Sequence, residues 1–272
     1  MSTAPKHGAS GSQDTDRGDW AWPANGKIDE VRLSSTARSA QWIATEFNNQ
    51  NSPSTFEYRM AQESSSCGPA FVQAQGTNSQ SGNQLYITLP GPSTAGNLMV
   101  VSFSMSTASS LYDVTSITDT KGNTYNLAAG PTDWSVGGKR GWTYYASNIA
   151  GGGSAITITV TLTGNPTNSN TYAAEYSGIA TSSPLDQSSA AIGSGTTLDS
   201  GSQTTTQASE LIFGFGMSSS AVTADAPYTN RNNFDSNFIA DQIVSSTGSY
   251  HVTGSAPGGG NWLCQMVTFK GA

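Results

Sequence analysis

The segment Ala155-Ile-Thr-Ile-Thr-Val-Thr-Leu-Thr163 constrains this chain more than any other feature, because apolar and hydroxyl side chains alternate along it with a period of two. In an extended strand that period puts Ile156, Ile158, Val160 and Leu162 on one face and Thr157, Thr159, Thr161 and Thr163 on the other. One face is buried and the other is wet, as in an antiparallel sheet. The same chemistry persists from Ala70 to Ala272, where 57 serines and threonines stand against 15 charged side chains and one histidine. A surface of hydroxyls and amides suits sugars or another neutral polymer and leaves few acids and bases for catalysis.

Strands are expected at 71–75, 84–89, 97–105, 114–118, 124–128, 141–147, 155–163, 171–176, 210–217, 238–244, 249–254 and 262–269. Turns such as Asp119-Thr-Lys-Gly-Asn123 and Pro257-Gly-Gly-Gly260 separate them. With no sustained helical period, the fold class is all-β: a two-sheet antiparallel β-sandwich or jelly roll with a short N-terminal strand-helix appendage. No strict internal repeat is apparent. Residues 1–19 read as a disordered or extended N-terminus, 20–56 as the appendage, 57–69 as a linker and 70–272 as the sandwich.

In the appendage, Asn25-Gly-Lys-Ile-Asp-Glu-Val-Arg-Leu33 reads as a strand entered through an Asn-Gly turn. Ser39 can cap a short helix reaching about Asn48, on which Trp42, Ile43 and Phe47 form a stripe able to dock on a sheet.

A formal charge of −7 and a pI near 4.6 argue against nucleic acid, since phosphate binding needs clustered Lys and Arg. No apolar run approaches the roughly 18 to 20 residues of a membrane helix. Cys67 and Cys264 are the only cysteines. They allow one disulfide if the fold brings them together, or Cys264 is a small buried thiol in a strand that groups Trp262, Cys264 and Met266 on one face. The composition reads as that of a secreted or cell-surface protein, although Met1-Ser-Thr-Ala-Pro-Lys-His7 is not a signal peptide.

The stretch from Gly26-Lys-Ile-Asp-Glu-Val-Arg-Leu33 to Phe47-Asn-Asn-Gln50 resembles the carboxyl end of laminin-G/concanavalin-A-like lectin domains. It covers only a last strand and helix, so that family's calcium and sugar positions have no counterpart here. Residues 70–272 resemble an uncharacterised domain of secreted bacterial surface proteins. That resemblance rests on Ala95-Gly-Asn-Leu98, Thr118-Asp-Thr-Lys-Gly-Asn-Thr-Tyr125, Glu175-Tyr-Ser-Gly178, Pro184-Leu-Asp186, Glu210-Leu-Ile-Phe-Gly214 and Gln265-Met-Val-Thr-Phe-Lys270. It implies an extracellular β-sandwich and favours adhesion or glycan binding.

Catalytic signals are sparse. No Gly-x-Ser-x-Gly elbow, His-Glu-x-x-His, phosphate loop or dinucleotide fingerprint occurs, and no nucleotide or organic cofactor is expected. His251 is the one histidine available as a base beyond the N-terminus, though a polar surface role suits it better. Glu175, Asp186, Glu210 and Asp241 could supply a carboxylate pair. Glu175 is the most interesting of these, read as lying on a tyrosine-backed, solvent-facing sheet. Loop acids and amides suit calcium with oxygen-only ligands: Asp119 with Asn123, Asp133, Asp225, and Asp235 with Asn230, Asn232 and Asn233, each alternatively an Asx turn. Trp134, in a turn-like Pro131-Thr-Asp-Trp segment, and Tyr112 and Tyr228 in comparable loops are candidate sugar platforms, or lids on the core.

Two function classes follow. The first is a noncatalytic extracellular binding or adhesion module for carbohydrate or another neutral polar polymer, with calcium as a stabilising ion. The second is a calcium-dependent hydrolase of a small ester, lactone or glycoside.

Overall fold

The computed structural model describes residues 39–40, 42–44 and 68–272, apart from 109, 136 and 137. The chain divides into two units, Met1–Gln62 and Glu63–Ala272. In the first, residues 40 and 42–44 are helical and Ser39 caps them as expected, its Oγ accepting the Trp42 N–H at 3.1 Å. Trp42 and Ile43 are exposed. Phe47 and the strand expected at 25–33 lie outside the described residues, as does Cys67.

The second unit is built from antiparallel strands. Its first half holds β1 (Ala70–Thr77), β2 (Gln80–Ser81), β3 (Gln84–Pro92), β4 (Leu98–Ser106), β5 (Val114–Asp119), β6 (Asn126–Ser135), β7 (Lys139–Ala146), β8 (Ala155–Leu162) and β9 (Asn168–Ser177). These form one sheet in the order β1-β9-β4-β7-β6 and another in the order β2-β3-β8-β5. The second half holds β10 (Leu185–Ser194), β11 (Thr197–Asp199), β12 (Gln203–Thr204), β13 (Ser209–Ser218), β14 (Thr223–Ala224), β15 (Thr229–Asn232), β16 (Phe238–Ser245), β17 (Ser249–Tyr250), β18 (Thr253–Ser255) and β19 (Asn261–Lys270). Its sheets run β10-β19-β13-β16-β15 and β11-β18-β14, with β12 and β17 as a separate pair.

Burial shows how the sheets stack. Along β8 the apolar residues are buried and the threonines half-exposed, so this strand covers one core only. The central strands β4, β9, β13 and β19 are instead buried along nearly their whole length, because both of their faces meet another sheet. On β4, Met99, Val101 and Phe103 pack with Ile156, Ile158 and Val160 of β8. Leu98 and Val100 point the other way and pack with Leu211, Phe213 and Phe215 of β13 and Val267 of β19. The opposite face of β13 and β19 carries Ile212, Trp262, Cys264 and Met266 onto Leu198 and Val252. The all-β antiparallel sandwich is therefore present, and the two-sheet unit occurs twice, with the inner sheets face to face over a third core.

The two halves share one topology. Matching β1, β9, β4, β7 and β6 with β10, β19, β13, β16 and β15 reproduces the inner-sheet order, and β3-β8-β5 matches β11-β18-β14. Register agrees as well. Tyr176 lies between Phe71 and Leu98, as Phe269 lies between Leu185 and Leu211. Each edge strand then shifts register just after that residue.

Most expected strands are present, with three differences. Strands β2, β10, β11, β12, β14 and β15 are additional to those expected, β10 being the longest of them. The strand expected at 124–128 extends through Pro131 to Ser135 on the sheet edge, where a proline removes no ladder bond. The strand expected at 249–254 is two short pieces. Cys264 is a free, fully buried thiol, whose pKa burial raises. Among the described residues no helix is long and apolar enough to cross a membrane.

Candidate functional site

Strands β4 and β13 end at matching places in the two inner sheets, and a cleft of about 320 Å³ opens beside those ends. Four side chains give it chemistry. Trp134 comes from the end of β6, Lys139 from the start of β7, Asn170 from the start of β9 and Asp235 from the 3-10 turn before β16. Lys139 and Asp235 thus introduce matching strands of the two halves with opposite charge.

Trp134 is only 5 % exposed, and the Lys139 Nζ lies 4.7 Å from its ring centroid, close enough for a cation–π contact. Among the described residues the Trp134 Nε1–H has no hydrogen-bond acceptor. On the other wall, Asn170 donates from Nδ2 to Asp235 Oδ2 at 2.8 Å, while its buried Oδ1 accepts nothing. Asp235 and Ser236 are held at φ 50° and 58°. The serine in particular is strained in the left-handed region, a feature that clusters at functional sites. Tyr172 anchors that turn by donating its hydroxyl to the Phe234 carbonyl at 2.7 Å.

Of the aromatic platforms expected from sequence, only Trp134 lines this cleft, and it also belongs to the core between the inner sheets. Tyr228 is a core residue whose hydroxyl donates to the His251 carbonyl at 2.7 Å. Tyr112 is half-buried against the core of the first half.

Glu175 does not face solvent. It shares a strand face with Ala173 as alternation requires, but that face is covered and Glu175 is 0 % exposed. Its Oε1 accepts the Thr94 amide at 2.8 Å and Asn97 Nδ2 at 2.6 Å, and its Oε2 accepts Gln73 Nε2 at 2.6 Å. Neutral donors hold this carboxylate in place. His251 sits half-exposed, its Nδ1 3.0 Å from Asp199 Oδ2, and among the described residues no serine hydroxyl bonds its ring.

The loop acids are engaged separately. Asp119 accepts from the Lys121 and Asn123 amides, the Asn123 side chain and the Tyr125 hydroxyl. Burial alone would raise its pKa, but these bonds hold it below the usual range. Asp133 pairs with Arg140, whose hydrogen bond lowers the Asp133 pKa. Asp225 accepts from Ser255 at 2.7 Å, and Asn123 Oδ1 accepts the Ala150 amide at 2.7 Å. Among the described residues no three His, Cys, Asp or Glu side chains gather as a metal site.

Two carboxyl groups do converge. Asp186, its side chain 3 % exposed, meets Glu210, which is 0 % exposed. Glu210 and Thr268 occupy the positions that Asn97 and Glu175 hold in the first half, so the carboxylate has moved to the neighbouring strand. The Gln207 amide serves Glu210 at 3.2 Å as the Thr94 amide serves Glu175.

Burial raises the Glu210 pKa and Asp186 adds to the rise, offset in part by Thr268 and the Gln207 amide. Burial would also raise Asp186, but the Thr206 hydroxyl and amide, Glu210 and Lys270 together hold it low. The unfolded chain therefore ionises at Glu210 first. Its contribution makes folding less favourable as pH rises from about 4.3, the ordinary glutamate value, through the raised folded value. Asp186 acts oppositely, its stabilisation present above about 3.9 and lost as pH falls through its depressed folded value. Glu210→Gln should flatten the upper slope: urea unfolding from pH 5 to 8 is expected to show wild type losing more stability than the variant. Parallel profiles would contradict the raised Glu210 pKa.

Comparison of the chain with protein-family models, curated proteins and solved structures finds no match. Fold and site together define an antiparallel double β-sandwich with a polar cleft at the end of its two inner sheets.

Proposed function

We propose that the chain is a noncatalytic extracellular binding module whose ligand, a carbohydrate, enters the cleft beside Trp134. The observation that carries this reading is a pair of buried, unpartnered polar atoms on the cleft-lining residues, Trp134 Nε1 and Asn170 Oδ1. More than about 90 % of buried polar groups in native proteins are hydrogen-bonded, and leaving one unpaired costs about 1–3 kcal/mol. Sugar hydroxyls both donate and accept, so one ring can satisfy an indole N–H and an amide oxygen together. The cleft is of the size that small ligands occupy, and serines dominate its rim. Glu175, Asp186, Glu210 and Asp241 are buried, so Asp235 is the one carboxylate among the described lining residues, where a glycosidase needs two, and neither His251 nor Asp199 lines the cleft.

A glycan array combined with an ester and lactone panel tests the proposal. Glycan binding without turnover is expected. Ser219→Trp, at the exposed rim, should weaken binding at least tenfold with an unchanged thermal midpoint. Turnover, or equal binding by Ser219→Trp, would contradict it.

A further inference from the structure

Resting on the carbohydrate reading of the cleft, we infer that its ligand is an acidic sugar, a uronic acid whose carboxylate is held by Lys139 and Trp134. The argument begins with the cations of the sandwich. Arg140 bonds Asp133 and Asp113, Arg231 bonds Asp241, and Lys270 faces Asp186. Lys121 donates to the Gly152 carbonyl at 2.7 Å. Lys139 is the exception: among the described residues its ammonium has neither a carboxylate nor a carbonyl partner, and it rests over the Trp134 ring.

The indole N–H of that same ring is the buried donor without an acceptor. One side of the cleft is thus lined by two residues on adjoining strands that carry an ammonium and a buried indole N–H with no acceptor among the described residues. A carboxylate, with two oxygens and about four lone-pair sites, can accept from both. The facing wall is complementary in chemistry. Asn170 Oδ1 accepts nothing, and Asp235, joined to it at 2.8 Å, adds carboxylate lone pairs, so this wall calls for hydroxyl donors. A ring carrying one carboxylate and several hydroxyls fits both. A single lysine balances a single charge. With Asp235 in the same cleft and a net charge of −7, more highly charged anions such as phosphates are disfavoured.

The test is a titration of the whole chain with galacturonate, galactose and glucosamine, followed by calorimetry or NMR, on wild type and Lys139→Met. Galacturonate should bind wild type at least tenfold more tightly than galactose. That margin should shrink in 0.5 M salt, because the pair is partly solvent-exposed. Lys139→Met should bind both sugars alike while keeping the wild-type thermal midpoint. Equal binding of galacturonate and galactose by wild type would overturn the inference and leave the carbohydrate reading standing. A preference for glucosamine would also overturn it and make Asp235 the determinant. Failure of every sugar, including those of the array, would remove both.

Discussion

Glu175→Ala is expected to lower the stability of the folded chain by about 2–6 kcal/mol, because the buried acceptor of two neutral donors is removed and each then costs about 1–3 kcal/mol. Glu175 is fully buried and joins three donors: the Thr94 amide, Asn97 Nδ2 and Gln73 Nε2. Alanine leaves the Thr94 amide and Asn97 Nδ2 without an acceptor, each at about 1–3 kcal/mol before relaxation or water entry, while Gln73 Nε2 keeps its bond to the Gly91 carbonyl at 3.2 Å. The network also ties β1 and the turn before β4 to β9, in addition to the backbone pairing of β1 with β9. Glu175→Gln keeps one acceptor oxygen and the side-chain volume, and should fall between wild type and alanine. Urea unfolding decides the matter: a midpoint for Glu175→Ala within error of wild type would show that the carboxylate holds nothing together.

Val267→Asp is expected to abolish folding or to lower stability by more than about 4 kcal/mol, because an unpaired carboxylate would be placed between the inner sheets. Val267 is 1 % exposed and packs in the cluster that joins β4 and β9 of the first half with β13 and β19 of the second. Were the two halves separate sandwiches, this face of β19 would meet water and the aspartate would be tolerated. Ile192→Asp is the control. Ile192 is 53 % exposed on β10, the neighbouring strand, and its substitution should change stability by no more than about 0.5 kcal/mol. Similar small effects from both substitutions, read by circular dichroism and thermal unfolding, would contradict the packed inner sheets.

Alternation made β8 readable because one of its faces is wet. The strands buried on both faces also stood out, as continuous apolar runs such as Leu98-Met-Val-Val101 and Leu211-Ile-Phe213. Strand β10 escaped notice because Leu-Asp-Gln-Ser-Ser-Ala-Ala-Ile-Gly-Ser offers little apolar contrast. Its backbone pairing with β19 and the packing of Leu185 define it instead. The repeat was hidden for a related reason. Its halves keep topology and register but exchange chemistry, with a carboxylate on β9 in one and on β13 in the other. Trp134 could be singled out as a large aromatic near a turn. The other walls of its cleft come from segments far apart in the chain. Asn170 and Lys139 looked like ordinary polar residues, and Asp235 looked like a calcium-type loop acid, until the inner sheets placed them together.

The most direct test of a carbohydrate site at the inner-sheet junction is the indole N–H resonance of Trp134, read in a two-dimensional NMR titration with the tightest-binding sugar. The chain has six tryptophans, and Trp134→Phe identifies the relevant signal. The Trp134 signal is expected to shift with saturation at the same affinity that calorimetry reports, while those of Trp142 and Trp262, packed in the two other cores, stay in place. A sugar that binds while the Trp134 signal does not move would place the site elsewhere on the molecule.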